Sequence, residues 1–135
     1  MGELTCIVVT PEQTAVDRQA EFVALPLYDG EIGIAPGRSP LIGRLGCGEL
    51  RIRSGGQVER FYLAGGFVQV ANNVVSVLTS RAIPAGNVDE QAAENQLRDA
   101  LKRPANTDEL LEARDRTIAQ ARAQIRVARR ARQPG

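Results

Sequence analysis

The side chains with chemistry to offer in this chain are two thiols, Cys6 and Cys47, sixteen carboxylates and seventeen basic groups, with no histidine. Without imidazole the commonest general base and metal ligand is missing. Two cysteines cannot build a zinc site without further ligands, so no metal and no cofactor are expected. The chain has no Gly-x-x-x-x-Gly-Lys-Ser/Thr cradle for a phosphate. Gly43, Gly46 and Gly48 miss the spacing of a dinucleotide loop, and Gly37-Arg38-Ser39-Pro40-Leu41 lacks the second glycine of a nucleophile elbow. Carboxylate pairs such as Glu109 and Glu112 stand at a helix start, where capping accounts for them. No nucleophile stands beside a base in these patterns, and the chain is not expected to be an enzyme by itself.

One stretch is built to present residues rather than to react. Gly30-Glu31-Ile32-Gly33-Ile34-Ala35-Pro36-Gly37-Arg38-Ser39-Pro40 places three glycines and two prolines around a short apolar run. Glycine permits positive φ, and proline fixes φ and removes a donor. The stretch therefore reads as a turn, a short strand, and a second turn stiffened by Pro36 and Pro40. It is either a tight corner of a β-domain or a loop whose Glu31 and Arg38 face one partner.

The surrounding pattern decides what holds that stretch. Residues 3–80 form short β-branched runs: Leu4–Thr10, Thr14–Val16, Ala20–Leu27, Glu49–Arg53, Val58–Ala64, Phe67–Val70 and Val74–Thr79. Turns are expected at Gly46-Cys47-Gly48, Ser54-Gly55-Gly56, Gly65-Gly66 and Asn72-Asn73. Strands in series without intervening helices argue an antiparallel β-sandwich over residues 1–85. Residues 86–135 are rich in Ala, Arg, Glu, Gln and Leu and read as two helices, about 88–102 and 107–131. Asn87 with Glu90 has the form of a capping box, and Pro104 ends the first helix. Val88, Ala92, Ala93, Leu97, Ala100 and Leu101 make one face, and Leu111, Ile118, Ala121, Ile125 and Ala128 the other, so an antiparallel hairpin with an alanine-rich seam is expected. Such a seam buries little apolar area and needs docking to the β-domain or to a partner.

Bulk properties narrow the partners. The net charge is +1 and tryptophan is absent, which argues against nucleic acid. The basic residues are arginines apart from Lys102, and from residue 116 onward the second helix carries six of them and no acid. That run is either a solvated helix end or a contact for an acidic surface. No apolar run nears the ~20 residues that span a bilayer. The start, Met1-Gly2-Glu3-Leu4-Thr5-Cys6, has no signal-peptide pattern, so a cytoplasmic chain with two free, buried thiols is expected.

Specific residues then point to a family. Gly30-Glu31-Ile32-Gly33-Ile34-Ala35-Pro36-Gly37 with Ser39-Pro40-Leu41, and Tyr62-Leu63-Ala64-Gly65-Gly66-Phe67-Val68-Gln69-Val70 with Asn73–Leu78, resemble the two signatures of the epsilon subunit of F-type ATP synthases. The resemblance covers nearly the whole chain. It implies a non-catalytic, peripheral subunit of the rotary motor's central stalk, on the cytoplasmic face of a bacterial inner membrane, taking part in ATP synthesis and ion transport. It implies that the sandwich binds the gamma subunit, with Tyr62, Gly65, Gly66 and Phe67 as contact candidates. It implies that the loop with Glu31, Gly33, Pro36, Gly37 and Arg38 lies toward the c-subunit ring. Position 38 is often histidine in the family and is arginine here, which keeps a cation but removes a titratable one. The hairpin is implied to lie on the sandwich or to extend along gamma toward the alpha and beta subunits and inhibit hydrolysis, with Arg122, Arg126, Arg129 and Arg130 as regulatory candidates.

Some family members bind ATP through an Asp-x-x-Arg-Ala motif. Here Asp89 and Ala93 match but Ala92 replaces the arginine, so nucleotide binding is expected to be weak or absent. The rival reading is a ligand- or peptide-binding β-sandwich with a helical dimerisation tail. It implies self-association through Leu111, Ile118 and Ile125, whereas the stalk reading implies a monomer when isolated.

Overall fold

The computed structural model describes residues 3–133; the Met1-Gly2 start read above lies outside them. Eight strands come first: β1 (Leu4–Val9), β2 (Thr14–Ala20), β3 (Phe22–Leu27), β4 (Gly30–Ile34), β5 (Leu41–Ser54), β6 (Gln57–Ala71), β7 (Val74–Leu78) and β8 (Ala82–Pro84). A 3-10 turn (Ala85–Asn87) leads into α1 (Glu90–Lys102) and α2 (Asp108–Ala131). The strands hydrogen-bond in the order β2-β1-β7-β6-β5-β3-β4, with β8 on β6. Every pairing is antiparallel except β1 with β7. This is the expected β-sandwich followed by a helical hairpin.

One sheet makes two layers because its central hairpin bends. The first half of β5 and the second half of β6 lie with β7 and β1; their other halves lie with β3 and β8. The β5–β6 register runs from Leu41↔Val70 to Ser54↔Gln57, leaving out only Gly46 and Gly65. Gly46-Cys47-Gly48 is therefore not a turn, and Gly65-Gly66 does not end a strand; both are the bend itself. The physical reason is close approach. A methyl group at Gly66, which has φ +115°, would lie 1.9 Å from the Leu78 carbonyl oxygen. Gly48 makes room for Pro26, whose Cβ would stand 2.8 Å from an added methyl, and the β3–β5 ladder shifts register just there, where proline has no N–H to donate.

The layers enclose one core. Leu4, Cys6 and Val8 of β1, Val23 and Leu25 of β3, Ile34 of β4, Leu50 and Ile52 of β5, Leu63, Val68 and Val70 of β6, and Val75 and Val77 of β7 are buried together. The alternation expected of half-buried strands is clearest in β1, where Leu4, Cys6 and Val8 point in and Thr5, Ile7 and Val9 are only partly buried. Cys6 is buried, and burial with the nearby Glu59 charge pushes its thiol up to about 12; Cys47 is free but only half-buried, which corrects the expectation of two buried thiols.

Three further boundaries differ from the sequence reading. β2 runs through to Ala20 and the break falls at Glu21, because Asp17, Arg18 and Gln19 face solvent on an edge strand and need no apolar alternation. β8 was not anticipated: Ala82–Pro84 is too short to show a period and is a strand only because β6 offers it an edge. The α1 N-cap is Asp89, whose Oδ1 accepts from the Ala92 N–H at 3.0 Å, rather than Asn87, which the 3-10 turn absorbs. Thr107 caps α2 in the same way toward Leu110 at 3.2 Å.

Gly66→Ala is expected to cost about 3–4 kcal/mol, since a bulky Cβ meets backbone at a φ that L residues avoid. Gly86→Ala, which meets nothing within 4 Å, is expected to stay within about 0.5 kcal/mol. Urea midpoints at constant slope measure both.

Candidate functional site

The covered face of the β5–β6 hairpin is where the two parts of the chain meet. Tyr62 is wholly buried there, packed with Ala85, Ala123 and Val127 and flanked by Cys47, Ala64, Ile83 and Val88. α2 makes this contact with Ala123 and Val127, while Ala121, Ile125 and Ala128 are buried along the same stretch of helix. The sequence reading placed Ala121, Ile125 and Ala128 on one face and missed Ala123 and Val127, since a helix buried on two sides shows no single stripe. N-terminal to this stretch, Leu110 and Leu111 stay exposed. α1 buries only Ala93 and Ala100.

The seam is narrow and imperfectly satisfied. Each alanine methyl contributes on the order of 0.8 kcal/mol, well below a leucine. The Tyr62 hydroxyl is buried with no hydrogen bond of ordinary geometry; Gln124 and Cys47 are its polar neighbours, and burial pushes it up to about 12. Burial likewise raises the Cys47 thiol, opposed by Tyr62 and the Arg126 charge.

Charges border the same seam. Glu49, a buried carboxylate on β5, receives Arg60 Nη1 at 3.0 Å, Arg51 Nη1 at 3.3 Å and Arg130 Nη1 of α2 at 3.7 Å, all at Oε1. Arg51 also forks onto Glu31, donating to its two oxygens at 2.8 and 2.9 Å. The hydrogen bond from Arg51 holds the Glu31 carboxyl below its ordinary value of 4.5, against slight burial and helped by the Arg51 and Arg130 charges. Glu49 and Arg51 were legible only as the polar side of an alternating strand; that α2 covers that side has no local signal.

The sequence-predicted residues fall into separate places. Glu31 is the second residue of β4 and pairs with Arg51, whereas Arg38 lies past the strand's end in an exposed turn that Gly37 ties to Asn73 Oδ1 at 2.8 Å. Gly33 and Pro36 are exposed between them, and the Phe22 ring lies over Gly33. Tyr62 is under α2, while Gly65, Gly66 and Phe67 continue along β6 to the outer face. There Arg44, Phe67 and Leu78 stand side by side on β5, β6 and β7. Ile42, Phe67 and Leu78 are 78, 58 and 59% exposed, and Tyr28 stacks on Arg44 at 4.5 Å. Ile42, Leu78 and Tyr28 were not anticipated; β-period alternation puts them outside but does not say that they form one patch.

The four hairpin arginines also divide. Arg129 pairs with Glu90 and Glu94 of α1 at 3.0 and 3.2 Å, and Arg132 also pairs with Glu90, so these hold the hairpin's open end together. Arg130 reaches the sandwich. Arg122 and Arg126 line a groove with Arg44 and have no ion pair among the described residues. Asp89 spends its carboxylate on the cap of α1. Among the described residues no group of His, Cys, Asp or Glu stands ready for a metal, and no helix is long and apolar enough to cross a membrane.

Two expectations follow from this geometry. Ala123→Leu is expected to overpack the seam by about 1–3 kcal/mol and to speed alkylation of Cys47 while Cys6 stays protected. A carboxyl with a depressed folded-state value adds stability above its ordinary value and loses it as pH falls through the lowered one. Glu31→Gln is therefore expected to cost up to about 1 kcal/mol at about pH 6 and progressively less as pH falls below the ordinary carboxylate range, read from urea midpoints across pH.

Comparison with known proteins places this geometry. The profile of the ATP synthase delta/epsilon chain β-sandwich domain matches residues 3–85. The chain is 48% identical over 126 residues to the ATP synthase epsilon chain of Rhodopirellula baltica, covering 93% of this chain and 98% of that one. It is 34% identical over 134 residues to that of Granulibacter bethesdensis, covering 96 and 99%. In fold it is similar to a chain of the Euglena gracilis mitochondrial ATP synthase, solved as OSCP, F1 and c-ring, with TM-score 0.80 and 17% identity over 91% of this chain and 79% of that one. A chain of the Tetrahymena thermophila mitochondrial ATP synthase central stalk and c-ring superposes with TM-score 0.74 and 15% identity over 93 and 96%. The two signature stretches, the bent sandwich and the matches over both parts of the chain agree: this protein belongs to the ATP synthase epsilon chain family.

Proposed function

We propose that this chain is the non-catalytic epsilon subunit of a rotary F-type ATP synthase, seated in the central stalk between gamma and the c ring during ion-driven ATP synthesis. The observation that carries the reading is the outer sheet face where exposed Phe67 and Leu78 stand side by side and Ile42 lies one row along, diagonal to Phe67, apolar surface of the kind that marks an interface. Gamma takes that face, with Phe67 at its middle strand and Gly65 and Gly66 just before it on β6. The exposed turn with Gly33, Pro36, Gly37 and Arg38, and the Glu31 corner, meet the c ring. Residues 1–85 act as the coupling domain and 86–135 as a movable hairpin. Peripheral attachment at the cytoplasmic face of a bacterial inner membrane follows from these partners.

The docked hairpin is the permissive arrangement. Its thin alanine seam supports release at low cost, and the released form reaches the alpha and beta subunits with Arg122, Arg126 and Arg130. Nucleotide is not part of this cycle, because Ala92 removes the motif's arginine and Asp89 caps α1.

Phe67→Asp is expected to weaken association with purified gamma at least about tenfold without lowering the urea midpoint, since the side chain is exposed. A complex whose epsilon chain stops after Ala85 is expected to keep gamma and hydrolyse ATP faster than the intact complex. Unchanged hydrolysis would reduce the hairpin to a structural role, and absent gamma binding would bring forward the ligand-binding sandwich. Sedimentation of the isolated chain is expected to show a monomer.

A further inference from the structure

We infer that Glu49 is a positioning residue that couples the Glu31 corner of the sandwich to the docking of α2. The inference rests on the proposal that Glu31 meets a partner, and it concerns what that contact does to the hairpin. Glu31 of β4, Arg51 and Glu49 of β5, and Arg130 of α2 form one line of alternating charge along a cleft of about 370 Å³ between sheet and helix. Arg126 and Cys47 share that cleft.

Every member of the line but its ends is shared. Arg51 divides its guanidinium between Glu31 and Glu49. Glu49 serves Arg51, Arg60 and Arg130 through Oε1 alone, while its Oε2 is buried without any partner. A buried acceptor left open is costly and takes a donor that comes free. When a cationic group of a partner captures Glu31, Arg51 is released, and the open oxygen of Glu49 receives it. A carboxylate engaged at both oxygens from its own layer holds Arg130 more weakly. Glu31, now paired elsewhere, also attracts Arg130 less. Both effects have one sign: occupying Glu31 loosens α2. Removing Arg51 has the opposite sign, because both carboxylates are then left to the arginines of the helix.

The test uses the full chain and needs no partner. Cys47 lies at the seam, so the ratio of its labelling rate with a bulky maleimide to that with iodoacetamide reports how open α2 is, and cancels changes in thiol reactivity. Glu31→Gln is expected to raise this ratio about threefold and Arg51→Gln to lower it about threefold, the size of an exposed ion-pair coupling. In a Glu49→Gln background Glu31→Gln is expected to keep only the smaller, direct part of its effect, its attraction for Arg130, and in an Arg130→Gln background to change nothing. The same direction for Glu31→Gln and Arg51→Gln, or a full Glu31→Gln effect in either background, would overturn the coupling. Because gamma and the ring are absent, loss of the coupling and loss of the stalk reading are read from different experiments.

Discussion

Gly66 passes so close to the Leu78 carbonyl that no side chain fits between them. That contact sets the bend of the long β5–β6 hairpin, and most of the architecture depends on the bend. It lets two strands of 14 and 15 residues serve two layers in turn, so one hydrogen-bonded sheet closes over one core without a crossover helix. It also turns the two outer faces of β6 in different directions. One end carries Tyr62 under α2, and the other carries Phe67 in the open.

The division into a deep core and a thin seam has an energetic meaning. Inside the sandwich, leucine, isoleucine and valine are buried completely, each contributing about 1.5–3 kcal/mol. Beneath α2 the contacts are alanine methyls, Val127 and Tyr62, whose hydroxyl lacks a partner, with Cys47, Ile83 and Val88 only partly buried around them. Charges border this seam and help to set its strength. Exposed ion pairs are worth little singly, but here three arginines meet at one buried carboxylate, Glu49. The hairpin is thus attached through smaller apolar contacts than those that close the sandwich.

This separation suits the proposed place on a rotary stalk, where one part holds its position while another responds. The sandwich presents exposed Phe67 and Leu78 beside each other and an exposed turn built from glycine and proline. Arginine does different work at different positions of α2: Arg129 and Arg132 close the hairpin, Arg130 touches the sandwich, and Arg122 and Arg126 face a groove. A reading of the helix as one basic run merges these roles, because charge pattern along a helix does not say which face meets what.

By itself the sequence determined the features that are local. The series of β-branched runs, the glycine and asparagine turns at 55–56 and 72–73, Pro104 between two helices and the alanine-rich faces follow from propensities that act within a few residues. The two signature stretches carried the family as well, and Gly30, Gly37, Gly65 and Gly66 within them take the positive φ that favours glycine. Tertiary structure decided the rest. Whether Gly65-Gly66 ends a strand or bends it depends on Leu78, twelve residues away; whether Ala82–Pro84 is a strand depends on a free edge of β6. Whether Glu49 faces water or an arginine cluster depends on where α2 lies. The physical reason is the same each time: backbone preference is set by neighbours in the chain, while burial and charge pairing are set by neighbours in space, and only the closed fold brings those together.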